Sequence, residues 1–90
     1  MGCVLEARHL RLVRAISAEG SLTRASATLH LTQSALSHQL ADLESRLGVR
    51  LFDRVGRRLR LTASGHKLVE ASVVLLRGLE EVENELRHGD

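Results

Sequence analysis

The 90-residue chain contains no proline, tryptophan or tyrosine, and Phe52 is its one aromatic residue. Without proline nothing forces a helix to kink, and leucine at about a fifth of all positions favours a mostly helical fold. Cys3 is the single cysteine, which excludes an intramolecular disulfide and fits a reducing, cytoplasmic compartment. No apolar run approaches the roughly 18 residues of a membrane-spanning helix, and Met1-Gly2-Cys3 lacks the Ser or Thr that a myristoylation motif would place at Glu6. No membrane partner is therefore expected. Hydrophobic residues at 43% and charged residues at 27% exclude a disordered chain. The length suits one domain and is too short for a two-domain enzyme. Such a domain buries only a marginal core, so a second copy or a further domain would help to stabilise it.

Lysine is also nearly missing: twelve of the thirteen basic residues are arginine. The planar guanidinium fork matches phosphates and base edges better than an ammonium does. Charge is divided along the chain. Residues 1–67 carry 11 Lys and Arg against 5 Asp and Glu, a net +6, whereas residues 68–90 carry 2 against 6, a net −4. Arginine is densest at Arg46, Arg50, Arg54, Arg57, Arg58 and Arg60, with Asp53 the one acid among the last five.

Leu5, His9, Leu12, Val13 and Ile16 fall at helical spacing and predict a first helix over about Glu6 to Glu19, ended by Gly20, with His9 at its edge. Ser21 caps a short second helix whose Leu22, Ala25 and Leu29 share one face. His30 and Leu31 form a turn, and Thr32 caps a third helix with the inward stripe Leu36, Leu40, Leu43 and Leu47, closed by Gly48. A short helix, a tight turn and a longer helix are the skeleton of a helix-turn-helix, whose second member enters the major groove of DNA. Opposite its leucine stripe the third helix carries Ser34, His38, Ala41 and Ser45, with Ser37 on the shoulder and Gln33 in the first turn. This face is small and polar, free of charge until Asp42 and Glu44, and suited to base edges.

After Gly48 the alternation changes to that of strands. Val49, Leu51 and Phe52, then Leu59-Arg60-Leu61, predict a two-stranded wing bent at Gly56, with Arg57 and Arg58 projecting from its tip. Thr62 caps a final helix in which Gly65 weakens the first turn slightly. Leu68, Ser72, Leu75, Leu79, Val82 and Leu86 form one line on it, and Val69, Val73 and Leu76 a second, so one line can pack at home while the other meets a partner. About 25 residues reach roughly 38 Å, and the acidic Glu80, Glu81, Glu83 and Glu85 should point away from DNA. The expected fold is all-α with a small β wing: a winged helix-turn-helix over residues 1–61, followed by a linker and dimerisation helix over residues 62–90.

Gly20-Ser21-Leu22-Thr23-Arg24-Ala25, Leu29 through Ser37, Leu43-Glu44, Leu47-Gly48, Leu51-Phe52-Asp53-Arg54 and Leu61-Thr62-Ala63-Ser64-Gly65 together resemble the DNA-binding domain of LysR-type transcriptional regulators. The resemblance covers nearly the whole chain. It implies a homodimer on double-stranded DNA, with Gln33, Ser34, Ser37 and His38 reading bases. Ser21, Thr23, Arg24, Thr32, Arg54, Arg57 and Arg58 would lie on the backbone or in the minor groove, and Leu75, Leu79, Val82 and Leu86 would form the dimer seam. Family members usually carry Arg where His38 stands, which would alter sequence preference here. Thr32 through Gln39 is most similar to the methionine-biosynthesis branch, whose effector is homocysteine. The resemblance further implies a higher oligomer in a full-length protein, RNA polymerase as a further partner, and a C-terminal effector domain holding a small co-inducer. That domain would be absent from this chain, and no cofactor is expected within it.

Catalysis finds little support. Ser37-His38 and Ser64-Gly65-His66 place hydroxyls near imidazoles in sequence, but neither has an evident orienting carboxylate or oxyanion hole. The five histidines are scattered, without the spacing of a metal site. The competing reading is a winged-helix module for protein contact and dimerisation without specific DNA binding, which would not need the arginines beside a small polar helix face.

Overall fold

A computed structural model describes residues 2–89; Met1 and Asp90, the outermost residues of the two expected segments, lie outside them. The described residues form α1 (Ala7–Glu19), α2 (Leu22–Thr28), α3 (Gln33–Leu47), β1 (Phe52–Val55), β2 (Arg58–Leu61) and α4 (Ala63–Arg87). Each helix begins where a side chain can take over an orphan backbone donor. The Ser21 hydroxyl accepts from the Arg24 N–H at 3.3 Å, Thr32 from Ala35 at 3.0 Å, and Thr62 from Gly65 at 3.0 Å. Gly20 and Gly48 end α1 and α3 in the left-handed region, at φ 69° and 73°, where a Cβ would be strained.

The core gathers Leu10, Leu12, Val13 and Ile16 of α1, Ala25 of α2, and Leu36, Leu40 and Leu43 of α3. Leu51, Phe52, Leu68 and Leu76 complete it. His9 belongs to this interior, only 2% exposed, and is no edge residue. Its Nδ1 accepts from the Glu6 N–H at 3.0 Å, so the buried ring serves as the helix cap and its polar atom is satisfied.

The long helix distributes its apolar residues differently from the sequence expectation. Leu68, Ser72 and Leu76 face home with Gly65, whereas Leu75, Leu79, Val82 and Leu86 are exposed. The home stripe follows steps of four, and so leaves the expected line at Leu75 and takes Leu76 instead. The buried Ser72 hydroxyl donates to the Val69 carbonyl at 2.6 Å, so it needs no partner across the helix pair. The first half of α4 is thus part of the same core as α1, and its second half runs on past α1.

The wing is antiparallel, with Phe52 opposite Leu61, Arg54 opposite Leu59, and Val55 opposite Arg58. Two residues, Gly56 and Arg57, make the turn, and Gly56 sits at φ 63°, the left-handed geometry that tight hairpins demand. Arg57 therefore occupies the tip itself, and Arg58 opens β2. The Leu59 N–H donates to the Gly20 carbonyl at 3.3 Å, binding the wing to the corner between α1 and α2.

Gly65 does more than weaken a helix turn. A Cβ there would fall inside the contact radius of the Leu51 carbonyl oxygen, which is backbone, and would press on the Leu61 side chain. The carbonyl cannot withdraw, because the Thr62 N–H donates to it at 3.0 Å. In an exposed helix Gly→Ala is stabilising. Gly65→Ala should instead cost about 1–3 kcal/mol through overpacking; a chemical melt equal to or above that of the parent would contradict this close approach.

Candidate nucleic-acid interface

Thr32 starts α3, whose first two turns bury Leu36 and leave one face open to solvent. Gln33, Ser34 and His38 are exposed there and Ser37 is half-buried. The next acid on the outer side, Asp42, is paired with Arg46 at 3.2 Å. The preceding turn is fixed tightly: His30 takes a positive φ of 57°, and the Leu31 N–H donates to the Ser26 carbonyl at 2.9 Å.

Gln33 is not a free rotor. The Thr23 hydroxyl of α2 donates to its Oε1 at 3.1 Å, which joins the two helices and leaves the Gln33 amide N–H groups able to donate. The sequence shows both residues, but their meeting depends on how α2 packs against α3 and has no local signature.

Arg54 comes to the same place from the wing. Strand alternation puts it on the face of Phe52, and the register sets it opposite Leu59, so it turns toward α3. It lines one small groove with Ser21, Thr23, Gln33 and Arg57, and a second of about 200 Å³ with Ser37, Glu44 and Arg50. At the opposite edge of the wing, Arg24, Arg57 and Arg58 line a shallow groove of about 490 Å³ with Ser17, Glu19 and Ser21. Of the expected residues, Gln33 and Ser37 on the base-facing side and Ser21, Thr23, Arg24, Arg54, Arg57 and Arg58 on the backbone-facing side therefore line adjoining grooves across α2, α3 and the wing. Thr32 and Ser21 take part with hydroxyls that already accept helix caps, which leaves their protons free to donate.

Ion pairs spare this surface. Among the described residues Arg8 pairs with Glu6, Arg46 with Asp42, Arg50 with Asp53 and Arg87 with Glu83, while Arg24, Arg54, Arg57 and Arg58 have no carboxylate within salt-bridge distance. All four are exposed to solvent, with Glu19 in the groove of Arg24, Arg57 and Arg58. The acids of the chain's end stand apart: from Gly65, beside the wing, to Glu80 the helix advances about 22 Å.

Sequence reasoning missed Glu44 by placing it on the solvent side. The residue is half-buried, and its Oε2 accepts from the Leu51 N–H at 2.7 Å and the Phe52 N–H at 3.3 Å. The signal available was its spacing: Glu44 lies seven residues after Ser37 and eleven after Gln33, on the flank of α3 that meets the wing.

Comparison with known proteins gives concordant matches. The family model described as "Bacterial regulatory helix-turn-helix protein, lysR family" matches residues 7–66. The chain is 52% identical over 67 residues to the HTH-type transcriptional regulator MetR of Escherichia coli (strain K12), covering 74% of this chain and 21% of that protein. It thus spans about a fifth of the length of such curated relatives. Among solved structures, the CbnR DNA-binding domain in complex with DNA matches with a TM-score of 0.86 at 31% identity, over 93% of this chain and 97% of that one. The BenM DNA-binding domain bound to catB site 1 DNA matches at 0.87 and 32%, over 93% and 94%.

Two substitutions separate the kinds of contact this surface can make. Gln33→Ala should reduce discrimination between a preferred and a scrambled duplex by about 1–3 kcal/mol. Arg57→Ala should weaken binding to both duplexes and lower the slope of log affinity against log salt by about one. An unchanged preferred-to-scrambled ratio for Gln33→Ala would remove that residue from base reading.

Proposed function

The chain belongs to the LysR family of bacterial regulatory helix-turn-helix proteins, and on that premise we propose that it binds double-stranded DNA in a sequence-specific manner to control transcription. The observation that carries this reading is the convergence of Gln33, Thr23 and Arg54 on one groove between α3 and the wing. The polar start of α3 enters the major groove, where Gln33, Ser34, Ser37 and His38 meet base edges. Arg54, Arg57 and Arg58 meet phosphates or the adjacent minor groove, and Ser21, Thr23, Arg24 and Thr32 hold the backbone at the other side.

Residues 62–90 act in this proposal as the linker and dimerisation helix. Leu75, Leu79, Val82 and Leu86 follow steps of 4, 3 and 4 and are all exposed, Leu86 by 77%. Leu75, Leu79 and Val82, with Leu5, Ala7 and Leu10 of the other wall, border an apolar groove of about 720 Å³. A second copy would cover that surface, and two-fold symmetry then places the recognition helices on the halves of an inverted repeat. Methionine-biosynthesis genes as targets follow from the similarity to MetR. Homocysteine as co-inducer follows from the same resemblance and would bind the effector domain it implies. A higher oligomer and contact with RNA polymerase belong to the full-length assembly.

Mobility shift with an inverted repeat selected from random duplexes, against the scrambled sequence at equal salt, tests the central reading; equal affinity for both would leave only non-specific binding. Leu79→Arg should convert the dimer to monomer in sedimentation, because the seam would bury an unpaired charge. Sedimentation like that of the parent would place the seam elsewhere.

A further inference from the structure

We propose that Glu44 is a positioning residue for DNA binding: its carboxylate holds the wing at the distance from α3 at which Arg54 and the base-facing side chains engage one site. This rests on the DNA-binding reading above. Glu44 is half-buried and lines the groove that Ser37 and Arg54 share. Its Oε2 is occupied by the N–H groups of Leu51 and Phe52, at 2.7 and 3.3 Å.

Three observations single it out. First, an acid is the wrong charge for the last turn of a helix, where the macrodipole is negative. Glu44 nevertheless stands there, its own carbonyl accepting the closing bond from the Gly48 N–H at 2.9 Å. Helix stability therefore does not account for it. Second, it makes no ion pair among the described residues, although Arg50 and Arg54 line the same groove. One carboxylate oxygen is engaged by backbone, and the Arg54 guanidinium makes no ion pair among the described residues. Third, the path from Glu44 to Arg54 is short and stiff. Phe52 is the first residue of β1 and is 2% exposed, and Arg54 follows two residues later on the same face of the strand. On the helical side, Gln33, Ser37 and Glu44 share one flank of α3. Glu44 thus ties the strand that carries a backbone-contacting arginine to the helix stripe that carries the base contacts.

A double-mutant cycle on DNA affinity tests this, using the 90-residue chain, a duplex selected from random sequence, and a temperature at which circular dichroism shows every variant folded. Glu44→Ala should weaken binding about tenfold in the parent and scarcely at all once Arg54 is replaced by Ala, the non-additivity expected of coupled residues. Glu44→Gln keeps an acceptor oxygen and should restore most of the affinity. A general loss of stability would instead lower binding by the same factor whether or not Arg54 is present, so multiplying losses would overturn the proposal, as would Glu44→Ala binding like the parent. Amide hydrogen exchange in the unsubstituted protein gives a reading independent of whether a variant folds. The Leu51 and Phe52 N–H groups should be protected, and exchange of both at the open-chain rate would overturn the proposal. A parent that bound no duplex at all would refute the DNA-binding reading itself, an outcome distinct from any difference between variants.

Discussion

Three successive backbone units, Arg50 to Phe52, exchange bonds with both α3 and the start of α4. The Arg50 carbonyl accepts the Thr62 hydroxyl at 2.6 Å, the Leu51 carbonyl accepts the Thr62 N–H, and the Leu51 and Phe52 N–H groups donate to Glu44. The Leu51 side chain is meanwhile buried in the core, 1% exposed. This segment leads from a helix end into the first residue of β1, a stretch where backbone groups ordinarily turn to water. Here helix α3 and the start of α4 take them up. Hydrogen bonds to a charged group contribute about 1.5–3 kcal/mol each, so the carboxylate is the strongest of these ties. The wing hairpin has only two short strands and would be marginal alone. Its placement therefore depends on this segment together with the Leu59 bond to the α1–α2 corner.

Much of the architecture was legible because it is written in local patterns. Ser21, Thr32 and Thr62 each stand one residue before a helical period begins, and Gly20 and Gly48 stand just after one ends. The Leu36-Leu40-Leu43 stripe sets the inner face of α3 with no knowledge of its partner, and Gly56 marks the hairpin turn. What was not legible depends on distant neighbours. Gly65 looks like a weak helix former until the Leu51 carbonyl is seen against it. His9 looks like an edge residue until its ring is found capping the helix from inside. The choice between Leu75 and Leu76 as the inward residue of α4 is one step of about 100°, and only packing on α1 decides it.

The candidate interface divides in the same way. Its residue types could be read from the sequence, since a small polar helix face beside an arginine-rich hairpin has few other uses. Its assembly could not. The hydroxyl of Thr23 finds Gln33 ten residues later, and Arg54 turns back toward α3 because strand register pairs it with Leu59. Glu44 was hidden for a related reason, since its spacing from Ser37 has meaning only once the wing is known to lie along that flank. The nearby acids have other partners: Asp53 pairs with Arg50, Asp42 with Arg46, Glu19 accepts from the Thr28 hydroxyl and Glu44 from backbone.

Because α4 is packed into the DNA-binding core over its first half and bare over its second, it behaves mechanically as a rigid lever with one end clamped. Two copies joined along the bare halves would transmit any change in their crossing angle to the clamped ends. Over an arm of about 25 Å, a rotation of about 10° displaces the far end by roughly 4 Å, given the 1.5 Å rise of a helix. That exceeds the 3.4 Å step between base pairs along one DNA strand, so in such a dimer roughly one pair of half-site spacing would hang on a modest change of crossing angle far from any base.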